Sequence, residues 1–202
     1  MTKTKPYLVG VTGGIGSGKS TVCQVFSILG IPIYSADDRA KWLMANDAKL
    51  KAEISTEFGE KSYLEDGTLN RAFLAEEVFS NPDKVKKINA IVHPAVGEDF
   101  KNWTNSQTAP YLIKEAALLF ESGSAKELDC IINVSSPLKV RIARVLLRDP
   151  HRSEDQVNHI IDQQMPDEQK NELADYVIKN NDSKLIIPQV LEIHHKLCAL
   201  KR

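Results

Sequence analysis

A chain of 202 residues suits one domain, or one domain carrying a small insertion. With 42% hydrophobic and 26% charged residues it can bury a core beneath a hydrated surface. A formal net charge of -1 gives no global pull toward nucleic acid or anionic lipid, so neither partner is expected, and any bound anion must be held by a local constellation.

In chain order, the first predicted strand is Tyr7 to Val11, a continuous apolar run of the kind covered on both faces of a sheet. The apolar stretch before the first glycine is too short for a signal peptide, and no stretch approaches a membrane span. Cys23, Cys130 and Cys198 are scattered with no CxxC pair, which points to a reduced, cytoplasmic protein. A glycine-rich turn leads into a helix from about Lys19, with Val22, Val25, Phe26 and Leu29 on one face, Gly30 just past its end and Pro32 preventing its resumption. Ile31 to Tyr34 reads as a second strand. From Ala36 to Thr108 the patterning is helical only, over Asp38–Met44, Asp47–Phe58, Arg71–Phe79 and Asp83–Val92, with His93-Pro94 ending one helix and starting another. That interval is too long for a simple crossover and predicts a small helical subdomain at about 36–108, in which Trp42 and Trp103 read as packing residues. Further strands are predicted at Tyr111–Lys114, Cys130–Val134 and Tyr176–Ile178, with a helix from near Pro137. The polar stretch Asp149–Pro166 reads as a mobile flap, a lid at about 149–166. A last helix puts Ile187, Val190, Leu191, His194 and Leu197 in register; His194 and His195, being adjacent, diverge and form no metal pair. The predicted architecture is α/β, a five-stranded parallel sheet flanked by helices, with its core at about 1–35 and 109–202.

Gly13-Gly-Ile-Gly-Ser-Gly-Lys-Ser20 fits G-x-x-x-x-G-K-[ST] between a predicted strand and a predicted helix. Glycines at 14, 16 and 18 let the backbone curl so that its N–H groups converge on phosphate oxygens, and Ile15 and Ser17 lie within the same turn. The following helix adds its positive end. Lys19 is placed to reach the β and γ phosphates and the Ser20 hydroxyl to ligate Mg²⁺, with Thr21 beside it, so ATP and Mg²⁺ are the expected cofactors.

A phosphate loop alone leaves several enzyme classes open. No Asn-Lys pair occurs and no glycine has Asp three positions earlier, so the guanine reader and switch of a GTPase are missing. The acid after Tyr-Leu-Ile is the single Glu115, not the acid pair of a motor ATPase. A small-molecule kinase remains. Asp37, after the second strand, either accepts the proton of an attacking hydroxyl or caps the helix Asp38–Met44. Asp38 reads as surface. Arg141, Arg144 and Arg148 share one helical stripe of about 60°, running toward Arg152 in the flap. The stripe either stabilises a transferring phosphoryl group or is a solvated face.

Val11-Thr-Gly-Gly-Ile-Gly-Ser-Gly-Lys-Ser-Thr21, Leu29-Gly-Ile-Pro-Ile33 and Ala36-Asp37 resemble the opening of bacterial dephospho-CoA kinases. The likeness continues through Asp66–Arg71, Val78-Phe79, Asn89–Pro94, Leu118–Gly123, Arg144–Asp149, Gln164–Pro166 and Ala174–Asn180, in family order over nearly the whole of 1–202. The resemblance implies a single kinase domain that phosphorylates the ribose 3′-hydroxyl of dephospho-CoA at the expense of ATP, as a monomer or weak homo-oligomer. It implies Lys19, Asp37 and Arg144 as catalytic, and the loop, Arg148 and Asn180 on the nucleotide, with Asn181 close to the base. On the acceptor side it implies Thr12, Asp37, Arg71, His93 and Leu118. The chain departs from the family pattern at Ser35, where an Asp is common, at Ala117 for Pro and at Glu115 for Asp. The first departure leaves Asp37 as the one base in its block. The rivals are a kinase for another small alcohol, which the long helical interval disfavours, and a non-catalytic nucleotide-binding regulator, which the presence of Lys19, Ser20 and Asp37 disfavours.

Overall fold

The computed structural model describes residues 6–79 and 81–200. In chain order the elements are β1 (Tyr7–Thr12), α1 (Lys19–Ile28), β2 (Ile33–Ser35), α2 (Ala36–Asn46), α3 (Ala48–Phe58), α4 (Arg71–Phe79), α5 (Pro82–Asn105), β3 (Tyr111–Glu115), β4 (Cys130–Ser135), α6 (Leu138–Arg148), α7 (Glu154–Asp162), α8 (Asp167–Leu173), β5 (Tyr176–Lys179) and α9 (Ile186–Ala199). The chain divides into two compact units, Met1–Ser35 with Gln107–Arg202, and Ala36–Ser106.

The first unit is built on a five-stranded sheet in the order β2-β3-β1-β4-β5. Every pairing is parallel, with Val11 opposite Glu115 on one side of β1 and Ile132 on the other. Val9, Val11, Ile113, Ile132, Val134 and Ile178 pack with Val22, Cys23 and Phe26 of α1 and Val190, Ile193 and Leu197 of α9. Burial pushes the Cys23 and Cys130 thiols up, Cys130 to about 12, so both are inert core groups. The last helix buries Ile193, which the sequence reading missed, while Ile187 is exposed. The second strand starts two residues later than expected, because the Ile31 N–H bonds Phe26 O (3.1 Å) and the Gly30 N–H bonds Ser27 O (2.9 Å). This paired closure, with Gly30 at φ 83°, spends Ile31 on finishing α1.

The expected flap contains a regular helix. Ser153 and Gln156 cap α7 reciprocally (3.2 and 3.0 Å), and Val157 is fully buried. Only the segments on either side of α7 are irregular, and α8, which the sequence reading did not anticipate, follows directly.

Among the described residues the second unit holds four α-helices and a short 3-10 helix (Glu60–Ser62), with α2, α3 and α4 all packing on α5. Contrary to the expected break at His93-Pro94, α5 runs unbroken through Pro94. Pro94 lacks the N–H that would bond the carbonyl four residues back. It is exposed, however, while Val92, Val96 and Phe100 form one buried face across it, and that burial holds the two halves together. Bidentate bonds from Arg39 to Asp99 (2.9 and 2.6 Å) tie α2 to α5, and Lys87–Glu57 ties α5 to α3 (2.5 Å). Trp103 stacks on Phe100 as expected of a packing residue, but Trp42 is half exposed, with the Arg39 guanidinium 4.4 Å from its ring centre. Among the described residues no helix is long and apolar enough to cross a membrane.

Candidate active site

The loop from Gly13 to Gly18 leaves the carboxyl end of β1, the central strand between β3 and β4, and turns into α1. The Ser17 N–H closes the turn on Gly14 O (3.1 Å). Gly16 and Gly18 have φ of 77° and 93°, and a Cβ at Gly18 would stand 2.2 Å from Asn180 Nδ2, so neither position accepts a side chain. No acidic residue occupies the first turn of α1, which leaves its positive end uncompensated by carboxylates of its own first turn. Lys19 Nζ donates to Gly13 O (3.0 Å) and Gly14 O (3.4 Å), folding back over the loop it follows. Ser20 and Thr21 are exposed.

Glu115 ends β3, next to β1, and its Oε1 accepts from Ser20 Oγ at 3.2 Å. A hydroxyl and a carboxylate side by side are hard oxygen donors of the type Mg²⁺ takes, together with phosphate oxygens and water. Among the described residues no group of three or more His, Cys, Asp or Glu could hold a metal unaided. The sequence reading recorded Glu115 as a lone acid and as a departure from the family's Asp, and gave it no role. The signal that places it is an acid at the end of a strand adjacent to the one that feeds the loop.

The three arginines of α6 have different partners. Arg141 is buried, its Nε donating to Ile15 O (3.0 Å) and its guanidinium lying against Gly14. Desolvation pulls its pKa down, and Asp167 and Glu168 oppose that shift. Arg144 donates to Ser136 Oγ (3.3 Å), Asn180 O (3.3 Å), Asn180 Oδ1 (3.2 Å) and Asp182 Oδ1 (2.7 Å). Arg148 pairs with its neighbour Asp149 (3.0 and 2.8 Å), and Arg152 lies 3.3 Å from the same carboxylate. Asn180 is buried, and its Nδ2 donates to Ser17 O at 2.7 Å, which clamps the loop. Thr12 is fully buried and its hydroxyl donates to Ala117 O (3.3 Å), so it supports the turn after β3 and offers no surface to a ligand. Leu118 on that turn is exposed. The Ile15 N–H donates to Gln164 Oε1 (2.8 Å), a partner the sequence reading did not foresee. A cleft of about 600 Å³ opens beside these groups, lined among others by Ser135, Arg141, Gln164, Asp167, Lys179 and Asn181.

Asp37, Arg71 and His93 belong to the second unit. Asp37 is exposed and lies inside the first turn of α2, which starts at Ala36, so it is not the cap of a helix beginning at Asp38. Asp38 is exposed and bonds Lys41 (3.1 Å), as a surface residue does. Arg71 opens α4 and His93 lies midway along α5, both exposed.

Residues 7–185 match the family model described as dephospho-CoA kinase. The chain is 38% identical over 201 residues to the dephospho-CoA kinase of Bacteroides fragilis, covering 96% of this chain and 97% of that one. Among solved structures it resembles a Thermus thermophilus protein with a TM-score of 0.84 at 32% identity, covering 96% and 98% of the two chains. It also resembles the dephospho-CoA kinase of Campylobacter jejuni with a TM-score of 0.68 at 26% identity, again covering 96% and 98%. A sheet, a phosphate loop and a match that spans nearly the whole length agree, and the chain belongs to the dephospho-CoA kinase family.

Proposed function

We propose that this chain transfers the terminal phosphoryl group of ATP to the ribose 3′-hydroxyl of dephospho-CoA, giving coenzyme A and ADP. The observation that carries the proposal is the ordered phosphate cradle, Gly14 to Thr21, in a chain of this family. The 3′-oxygen forms a bond to the γ-phosphorus as the bond from that phosphorus to the bridging oxygen breaks. Asp37 takes the hydroxyl proton and ADP carries away the bonding pair. The loop amides and the start of α1 hold the phosphates, and Lys19 exchanges its two carbonyl partners for phosphate oxygens, a stronger charge-assisted contact. Ser20 and Glu115 would hold Mg²⁺, which supplies charge neutralisation at the β and γ oxygens when bound.

The acceptor is assigned to Arg71 and His93 of the helical unit as polar contacts, and to Leu118 of the sheet unit as an apolar one. Arg144 and Arg148 bring charge toward the phosphates by exchanging Asp182 and Asp149 for the ligand; Asn180 keeps the loop in shape beneath the nucleotide. The protein works in the cytoplasm as a monomer or weak homo-oligomer. Purified protein incubated with MgATP and dephospho-CoA is expected to raise the acceptor mass by one phosphoryl group in mass spectrometry. An unchanged acceptor, under conditions where a known relative turns over, would remove the proposal.

Asp149 to Pro166 is assigned as a lid. A lid excludes water and delivers late charge, so it should be more open without ligand. Limited proteolysis is expected to cut before α7, between 149 and 153, because the connection after α7 is held at Gln164 and Met165, and ATP plus CoA should slow that cut. Equal digestion with and without ligands would count against a lid.

A further inference from the structure

Both backbone polar groups of Ile15, on the two peptides that flank its Cα, are held by side chains far away in sequence. Its carbonyl accepts from Arg141 Nε (3.0 Å) and its N–H donates to Gln164 Oε1 (2.8 Å). Gln164 lies on the short connection between α7 and α8, and that connection is itself anchored. The next residue, Met165, donates its N–H to Glu121 Oε1 (2.8 Å). The same oxygen pairs with Lys170 Nζ (3.0 Å), which also donates to Ala117 O (3.0 Å). Ala117 O in turn accepts from Thr12 at the end of β1. The path therefore closes on itself: it leaves β1 at Thr12, crosses the turn after β3, and returns to the loop at Ile15. Lys170 is completely buried. A buried ammonium is costly unless its partners are well placed, and polar pairs of this kind are better at fixing one arrangement than at adding stability.

We propose that Gln164 is a positioning residue for phosphoryl transfer, holding the Ile15 amide so that the Gly16–Gly18 turn has one conformation, with Glu121 and Lys170 fixing the segment that carries it. The inference rests on the kinase reading above for its kinetic arm only. The orientation of the Ile15 peptide sets the direction of the amides that follow it. A loop released at that point samples other conformers, and only the fraction in the productive one binds and aligns the phosphates. The brace also gives the α7 segment a direct mechanical link to the loop.

Gln164→Met keeps the length of the side chain and removes the acceptor; Gln164→Glu keeps an acceptor oxygen at the same reach. Gln164→Met is expected to lower kcat about tenfold or more, with the KM for dephospho-CoA unchanged. Gln164→Glu should recover most of kcat at saturating ATP, its extra negative charge appearing as a raised KM for ATP. In hydrogen exchange on the ligand-free protein, the Ile15 amide should exchange about tenfold faster in Gln164→Met and near the wild-type rate in Gln164→Glu. Wild-type kcat and wild-type Ile15 exchange in Gln164→Met overturn the proposal. So does a parallel loss in both variants that tracks a lowered Tm, which marks Gln164 as a packing residue. If Gln164→Met does not fold, Gln164→Asn, too short to reach Ile15, takes its place under the same criteria. A wild-type protein inactive toward dephospho-CoA overturns the functional reading instead, and Ile15 exchange alone then decides the brace.

Discussion

Replacing Lys19 by Ala is expected to lower kcat by a factor on the order of 10²–10³ while the protein stays folded. In the structure the ammonium donates to two carbonyls of its own loop, Gly13 O and Gly14 O. Both glycines are buried, and losing a hydrogen bond from a charged donor costs roughly 1.5–3 kcal/mol. Tm should therefore fall while the protein stays folded, and kinetics are compared well below both melting temperatures. With ATP bound the balance differs, because a cation beside phosphates that gain charge at the bridging oxygen acts mainly in the transition state. The KM for ATP should accordingly rise less than kcat falls. Lys19→Arg is not a conservative control, since its planar fork replaces a compact point charge in a loop with no room to spare. Lys19→Met is the better one, matching length without charge, and it should resemble Lys19→Ala. Steady-state kinetics beside a thermal melt decide the matter. A Lys19→Ala protein within a few-fold of wild type would mean that the loop does not hold phosphate as proposed.

Much of this site is legible in the sequence because its demands are local. Four glycines, a lysine and two serines in one octapeptide answer to backbone geometry that nearby residues impose, and α1 begins at Lys19 as expected. The strands are legible because each carries a short apolar run, such as Tyr111–Ile113 and Cys130–Ile132, both buried throughout. The order β2-β3-β1-β4-β5 is not, since pairing partners are distant in the chain. Glu115 depends on that order, for its approach to Ser20 exists only because β3 lies beside β1. Gln164 and Lys170 depend on contacts 149 and 53 residues away, which no spacing rule encodes. Spacing places Arg141, Arg144 and Arg148 on one stripe but does not say what each holds: Ile15 O, Asn180 with Asp182, and Asp149 take one each. Pro94 misled for an energetic reason, since the buried face from Val92 to Phe100 outweighs one missing backbone bond.

Asp37→Asn is expected to reduce kcat by ~10²–10⁴, the range for losing a general base. Asn keeps the shape and most of the hydrogen-bonding reach of Asp and removes only the proton acceptor. Phosphoryl transfer is largely dissociative, so little negative charge need build on the attacking oxygen early, and the loss should lie toward the lower end. The position of Asp37 sharpens the test. It lies within the first turn of α2 and is exposed, so it does not cap the helix, and its structural contribution is the modest attraction of a carboxylate for a helix start, about 0.3–1 kcal/mol. A large fall in activity with a nearly unchanged Tm therefore cannot be ascribed to a frayed helix. The KM for ATP should hardly change, because the cradle is made by Gly14 to Thr21 and does not use Asp37. Ser35→Ala, at the last position of β2, should cost far less, since a neutral hydroxyl there replaces an acid common in the family. Kinetics and melting curves on both variants separate the readings. A lowered Tm with intact kcat in Asp37→Asn would make it a helix-start residue, and full activity there with severe loss in Ser35→Ala would move the base role to the strand end.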